Sequence, residues 1–111
     1  MIKKKLVRDG MIKIILNDGY TPKYKTIKGN QLKTALKNKL VEEANEVLVS
    51  KTKQNLLEEL ADTYQALTDL TKESGFSMVD LIQEVNRKFK ERGGFRKGVF
   101  LIEVNWFTRI L

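Results

Sequence analysis

Residues 39–46 read Lys-Leu-Val-Glu-Glu-Ala-Asn-Glu, and residues 58–62 read Glu-Glu-Leu-Ala-Asp. Both stretches lie in longer segments whose apolar residues recur every three or four positions, which is the spacing of one helix face. A short polar stretch, residues 50–54, separates the two segments. The sequence therefore predicts two amphipathic helices joined by a short loop, each with a cluster of acids.

The acids of these two helices fall into pairs. Glu43 and Glu46 are three residues apart, as are Glu59 and Asp62, so each pair occupies neighbouring positions on one helix face. At about 100° per residue, Glu43 lies at the edge of the apolar stripe of its helix, and Glu59 lies between apolar positions of its own. Acids at the edges of two facing stripes are predicted to point at each other.

Four unpaired carboxylates in one place repel one another and lose hydration, so such a cluster needs cations. The chain has no histidine and no cysteine, which leaves only oxygen ligands. Oxygen ligands favour Mg²⁺, with Mn²⁺ as the alternative. A simpler interpretation is that these are surface acids paired with lysines along their helices, because either motif alone is common.

The first two helices are bounded by candidate capping residues. A short helix is predicted over residues 10–17 with Asp9 as its cap, and residues 18–30 read as a loop. Asn30 is predicted to cap the long helix over residues 31–49 that carries the first acidic pair.

The third helix is predicted over residues 55–73, with Gly75 placed to end it. Ser77 starts a fourth helix, and Asp80 three residues later completes a pattern like a capping box. This helix ends at Arg92-Gly93-Gly94. Apolar stripes run along both helices and comprise Leu56, Leu60, Tyr64 and Leu67 on the third, and Met78, Ile82, Val85 and Phe89 on the fourth.

Amphipathic helices with short joins predict an all-α fold, a small bundle of about four helices that forms a single domain over residues 1–111. Residues 99–107 are rich in β-branched and aromatic side chains and fit a strand, a hairpin arm or a packed tail, so the bundle ends in a short extended segment. A bundle this small often buries leftover apolar surface against a second copy, and we expect oligomerisation to complete it.

Composition excludes several classes of protein. Without histidine or cysteine the chain has no Ser-His-Asp triad, no Cys-His pair, no disulfide and no ordinary zinc site. No apolar run approaches about 18 residues, and no signal-peptide apolar region follows the basic residues 3–5. We therefore expect no membrane contact and a cytoplasmic location.

Charge is distributed unevenly along a chain whose net charge is +7. Residues 1–39, 40–84 and 85–111 carry net charges of +9, −7 and +5. This order suits a site for a metal-bound polyphosphate, with acids for the cation and basic residues for the phosphates. The alternative is that the basic ends are solvated faces or bind nucleic acid.

Three basic residues are candidates for binding the phosphates. Lys88 and Arg92 are four residues apart and share a face of the fourth helix, and Lys39 lies one turn before Glu43. The alternative for Lys88 and Arg92 is that their stems cover the edge of the core while their charges stay in water.

Four blocks of the sequence, residues 5–9, 39–46, 59–62 and 88–95 in this order, resemble motifs of one protein family. The family is the all-α nucleoside triphosphate pyrophosphohydrolases, the MazG-like superfamily, and within it the phosphoribosyl-ATP pyrophosphohydrolase-like group. The family signature is E-x-x-E followed by E-x-x-D, matched here by residues 43–46 and 59–62 with twelve residues between them. Residues 5–9 (Lys-Leu-Val-Arg-Asp) resemble the opening of the group, residues 39–43 the lead into the first motif, and residues 88–95 its closing motif.

The chain departs from the group in two places. Residues 10–12 read Gly-Met-Ile where the group usually has Lys-Ile-Pro, which leaves the roles of Arg8 and Asp9 open. Residues 105–111 match none of the group's motifs.

The resemblance implies Mg²⁺-dependent hydrolysis of a nucleoside triphosphate between the α- and β-phosphates, as housekeeping of the nucleotide pool. Glu42 and Glu43 are the candidates for the base that activates water. The resemblance also implies a homodimer or tetramer. The implied ligands are Glu43, Glu46, Glu59 and Asp62 for the metal ion, and Lys39, Lys88 and Arg92 for the phosphates.

Three other functions stay open. Phosphoribosyl-ATP hydrolysis in histidine synthesis would use the same site, because base recognition comes from side chains at its rim. A basic helical module for nucleic acid would show salt-sensitive binding without metal dependence, but no helix has a dense Lys/Arg stripe with interleaved aromatics. A protein that keeps the fold without activity is disfavoured because all four acids are present.

Overall fold

A helical hairpin is the centre of the fold. The computed structural model describes residues 4–104, and these contain no strand, which confirms the all-α prediction. The two longest helices, of 21 residues each, pack against each other, and the last helix makes a smaller contact with the third. In chain order the helices are α1 Met11–Asn17, α2 Gly29–Val49, α3 Lys53–Glu73 and α4 Met78–Arg92.

Two predicted helix ends are confirmed between α3 and α4. Ser77 and Asp80 form a capping box, in which Ser77 Oγ accepts from Asp80 N at 3.1 Å and the Asp80 carboxylate accepts from Ser77 N at 2.8 Å. Gly75 follows the end of α3 with a φ of 88°, which favours glycine. This conformation lets Phe76 N donate to the Thr71 carbonyl at 3.1 Å and closes the helix.

The predicted cap of α1 is wrong. Gly10 is the N-cap, and no side chain bonds to the first turn. Instead, the Arg8 carbonyl accepts from Met11 N at 3.0 Å. A backbone turn therefore supplies the acceptor that the Asp9 side chain was predicted to supply.

The starts of α2 and α3 also differ from prediction. α2 begins at Gly29 with Lys28 as its N-cap and has no side-chain cap, so the predicted cap Asn30 already lies inside the first turn. α3 is capped by Thr52, whose hydroxyl accepts from Asn55 N at 3.0 Å. It therefore begins two residues earlier than predicted, and the loop between α2 and α3 is correspondingly short.

Little apolar surface is buried within one chain. Among residues 4–104, Leu36 and Ala66 are the only buried apolar side chains. The stripe predicted to pack on α3 is largely exposed, with Leu60 at 47% and Tyr64 at 59%. The buried face of α3 is instead the one that carries Ala66 and Thr71.

The described end of the C-terminal segment, residues 99–104, forms neither helix nor strand. Val99, Phe100 and Ile102 are about nine-tenths exposed, whereas Leu101 and Val104 are 49% and 43% exposed. The strand interpretation therefore does not hold for these six residues, and the packed tail stays a prediction. The remainder of that prediction, residues 105–107, lies outside the described residues.

Within the described part of the chain, no helix is both long and apolar enough to cross a membrane. The cytoplasmic location stays a prediction.

Candidate metal centre

Three carboxylates of the α2–α3 hairpin converge on one point. Glu43 projects from α2, and Glu59 and Asp62 project from α3, so that one oxygen of each lies within 4.8 Å of the other two. Glu43 is buried, with 9% exposure, and the other two are half-buried. Positions 59 and 62 share a helix face, and the short loop brings that face opposite Glu43. We call Glu43, Glu59 and Asp62 the acidic triad.

Partial loss of hydration and the nearby acids raise the pKa of Glu59. The loss of hydration is the largest cause, and the charges of Asp62, Glu43, Glu46 and Glu58 add to it in that order. A divalent cation would relieve this repulsion. Because the donor atoms are all carboxylate oxygens, the triad fits a hard ion such as Mg²⁺ or Mn²⁺.

Glu46 lies beside the acidic triad rather than in it. Its side chain is exposed, and its charge raises the pKa of Glu59 less than the charges of Asp62 and Glu43 do. Glu46 and Glu59 line an open cleft of about 230 Å³ at the loop end of the hairpin, together with Val49, Ser50, Lys51 and Asn55. Three of the four predicted ligands are thus brought together, and the fourth lines a cleft with one of them, Glu59.

Lys39 pairs with two acids of its own helix. Its Nζ lies 3.3 Å from Glu42 Oε1 and 3.4 Å from Glu43 Oε1. The interpretation of acids paired with lysines along a helix therefore applies to Glu43, although Glu43 is buried, and to its neighbour Glu42. It does not extend to Glu46 and Glu59, since neither has a basic partner within 4.0 Å among residues 4–104.

The two basic residues of α4 form no ion pair with the acidic triad in the described part of the chain. Lys88 and Arg92 are both exposed. Lys88 lies close enough to Glu84 to help lower its pKa, after the larger effect of the hydrogen bond from Arg87. Their role at the phosphates stays a prediction.

Arg8 lies at the acidic triad and was not singled out from the sequence. Its Nη2 donates to Asp62 Oδ1 at 2.5 Å, and the side chains are 56% and 39% exposed respectively. The two residues are 54 positions apart, so no helical spacing connects them. The one available signal was the resemblance of residues 5–9 to an opening motif, and it gave Arg8 no role.

The family model described as phosphoribosyl-ATP pyrophosphohydrolase matches residues 14–89. This range includes the whole acidic triad but neither Arg8 nor Arg92. No curated protein and no solved structure matches the chain. Since the family model covers more than half of the chain, which is all-α throughout its described residues, the protein belongs to the phosphoribosyl-ATP pyrophosphohydrolase family, in the MazG-like superfamily of all-α pyrophosphohydrolases.

Proposed function

We propose that the protein hydrolyses a nucleoside triphosphate between the α- and β-phosphates, giving a monophosphate and pyrophosphate, as housekeeping of the nucleotide pool. The observation that carries the proposal is the acidic triad, three carboxylate oxygens within 4.8 Å of one another, in a member of a pyrophosphohydrolase family. An all-oxygen cluster of this kind suits Mg²⁺, which proteins commonly bind together with substrate phosphates.

The acidic triad would hold the metal ion, and Glu46 would complete the site from the adjoining cleft. When bound, the ion neutralises charge on the departing pyrophosphate and makes the attacking water more acidic. Glu59 and Asp62 are both half-buried, so the site opens to solvent on one side. A substrate can therefore approach without any movement of the hairpin.

The base that accepts the proton from water is proposed to be Glu42. Glu43 belongs to the acidic triad, so its carboxylate is committed to the ion. Glu42 is the next residue, lies outside the triad, and is held beside Glu43 by Lys39. Both of its oxygens accept from Lys39 Nζ, at 3.3 and 3.4 Å, and its side chain is 41% exposed, so water still reaches the carboxylate.

The phosphates are proposed to be bound by basic residues on two helices. Lys39 lies within 3.4 Å of Glu43 and is therefore next to any phosphate that shares an ion with the triad. Lys88 and Arg92 present exposed cations from α4. Charged N–H groups at the departing pyrophosphate stabilise the charge that develops there.

The test is pyrophosphate release from a panel of ribo- and deoxyribonucleoside triphosphates plus phosphoribosyl-ATP, with Mg²⁺ and with EDTA. We expect metal-dependent release of pyrophosphate together with a monophosphate. The Glu59→Gln variant should fold and show no turnover. Full activity in that variant, or in EDTA, would contradict the proposed site.

Phosphoribosyl-ATP hydrolysis is the second candidate, and the description of the matching family model favours it. The same residues would act on the same phosphate bond. The substrate panel separates the two, because a phosphoribosyl-ATP enzyme shows its highest kcat/KM on that substrate, whereas a housekeeping enzyme shows it on an ordinary nucleotide.

We also propose that the protein works as a homodimer or tetramer. The radius of gyration is 18.2 Å, against about 13 Å for a compact domain of this length. One chain exposes 10523 Å², against roughly 6,300 Å² for a compact monomer of this size. An obligate interface of two chains buries about 1,000–2,500 Å² on each partner, so this excess can supply such an interface.

The surface for this assembly is proposed to include the apolar stripe of α4. Ile82, Val85 and Phe89 are 49%, 52% and 65% exposed and lie on one face of the helix. Leu60 and Tyr64 on α3 are exposed to a similar degree. Exposed apolar side chains grouped on one helix face, rather than scattered singly, are typical of an interface.

A further inference from the structure

The N-terminal segment brings a cation to the acidic triad. Arg8 lies three residues before the start of α1, and the bond from Met11 N to its carbonyl fixes its backbone at the turn into that helix. Leu6 and Val7 beside it are half-buried, which holds the segment on the protein. Arg8 therefore reaches Asp62 from a part of the chain outside the range that the family model matches.

The contact with Asp62 uses only part of the Arg8 guanidinium. One ion-pair contact joins them, from Nη2 to Oδ1. A guanidinium has five N–H donors in a planar fork that suits two oxygens of a phosphate. Because the Arg8 side chain is 56% exposed, donors remain for an incoming phosphate group.

We propose that Arg8 is a phosphate-binding residue that neutralises Asp62 until the metal ion binds, and then contacts the triphosphate group. The inference rests on the proposed function, because it takes Asp62 as a metal ligand. A divalent cation and a guanidinium on one carboxylate repel each other, so the two compete for Asp62. A guanidinium displaced from Asp62 stays tethered beside the phosphates that the ion binds.

The two roles of Arg8 give effects of opposite sign in the Arg8→Gln variant. Affinity for Mn²⁺ alone should rise, by up to about fivefold, which is the range of an exposed ion pair. Affinity for inorganic tripolyphosphate at saturating Mn²⁺ should fall by at least about tenfold, because charge-assisted hydrogen bonds to phosphate are lost. Both are measured by calorimetry, with Mn²⁺ binding also followed by electron paramagnetic resonance.

The matched control is Arg87→Gln. It removes the same charge from an exposed arginine that pairs with Glu84 and Glu91 on α4, and both affinities should stay at the wild-type values. In an Asp62→Asn background, Arg8→Gln should no longer raise Mn²⁺ affinity, because the carboxylate for which the two cations compete is gone. Circular dichroism checks that each variant folds.

Failure of this inference is distinguishable from failure of the proposed function. If the wild type binds no Mn²⁺, the proposed metal site is wrong and the inference falls with it. If the wild type binds Mn²⁺ and tripolyphosphate but Arg8→Gln behaves like Arg87→Gln, or loses Mn²⁺ affinity, only the inference about Arg8 is overturned.

Discussion

At the scale of single residues, the charge of Glu59 links stability to pH. Its pKa is raised above the ordinary value of 4.5, first by partial loss of hydration and then by neighbouring acids. The folded protein therefore holds this proton more tightly than the unfolded chain. In the absence of metal, stability falls as the pH rises from 4.5 through the raised pKa. With a cation bound, the stability should instead rise with pH, because the cation favours the ionised carboxylate.

Replacing Glu59 by Gln should accordingly stabilise the metal-free protein. In EDTA above the raised pKa of Glu59, we expect a higher Tm than that of the wild type, and the difference should vanish below pH 4.5. With saturating Mg²⁺ the variant should have a lower Tm than the wild type, because the amide is a poorer ligand for the ion. Glu103→Gln is the control, since it removes the same charge from an exposed residue that does not contribute to the raised pKa of Glu59. A lower Tm for Glu59→Gln in EDTA would rule out repulsion as the cause.

The proposed base is tested by comparing two neighbouring substitutions. Glu42→Gln should keep the Mn²⁺ affinity of the wild type and lose about 10²–10⁴-fold in kcat, the range for loss of a general base. Glu43→Gln should lose both, because its carboxylate belongs to the acidic triad. If Glu42→Gln turns over normally while Glu43→Gln binds Mn²⁺ and is inactive, then Glu43 is the base.

Helical spacing predicted most of the site at this scale, because its acids are close in sequence. Glu43 and Glu59 were predicted from their positions relative to the apolar stripes of their helices, and Asp62 from its spacing of three residues from Glu59. The structure brings the three together. The position of Arg8 at the site could not be predicted from helical spacing. Its contact with Asp62 depends on the path of the chain across 54 residues, which no local pattern encodes.

At the scale of elements, α4 depends strongly on its ends, because it makes only a small contact with α3. Ser77→Ala removes half of its capping box and should lower the free energy of unfolding by about 1 kcal/mol. Urea denaturation measures the change. Ser74→Ala is the control, since Ser74 closes α3 through its backbone N–H. Equal effects of the two substitutions would show that the capping box does not stabilise the protein.

The sequence predicted the existence of all four helices but not all of their starts. Ser77 acts as predicted, because its side chain and that of Asp80 satisfy each other's backbone N–H. Asp9 and Asn30 do not cap, since a backbone turn and an earlier helix start make them unnecessary. Residues 99–104 have the composition of a strand but no partner strand within the described chain, and such composition forms a strand only when paired.

At the scale of the whole molecule, the extended shape and the exposed stripe of α4 lead to one prediction. Ile82→Glu combined with Val85→Glu should convert the assembly to monomers in sedimentation velocity and lower Tm, because charges replace apolar side chains that we propose to be buried between chains. Gln83→Glu is the control, placed about 100° from Ile82 and about 160° from Val85 around the helix. An unchanged sedimentation coefficient would exclude α4 from the interface.

Oligomerisation itself was predicted from the size of the bundle, but the faces involved were not. The spacing of apolar residues predicted stripes on α3 and α4. It does not show whether a stripe packs within its own chain or against another chain. Within one chain, the structure shows which face of α3 is buried: Ala66 is buried, while Tyr64, two residues earlier, is 59% exposed.

The α2–α3 hairpin determines when the acidic triad comes together during folding. Glu43, Glu59 and Asp62 lie within twenty consecutive residues, on two helices joined by a three-residue loop. Contacts between segments so close along the chain form early and fast, because little loop entropy opposes them. The metal ligands therefore come together as soon as α2 and α3 pair. Arg8, which arrives from the far end of the chain, joins them only after the N-terminal segment has docked.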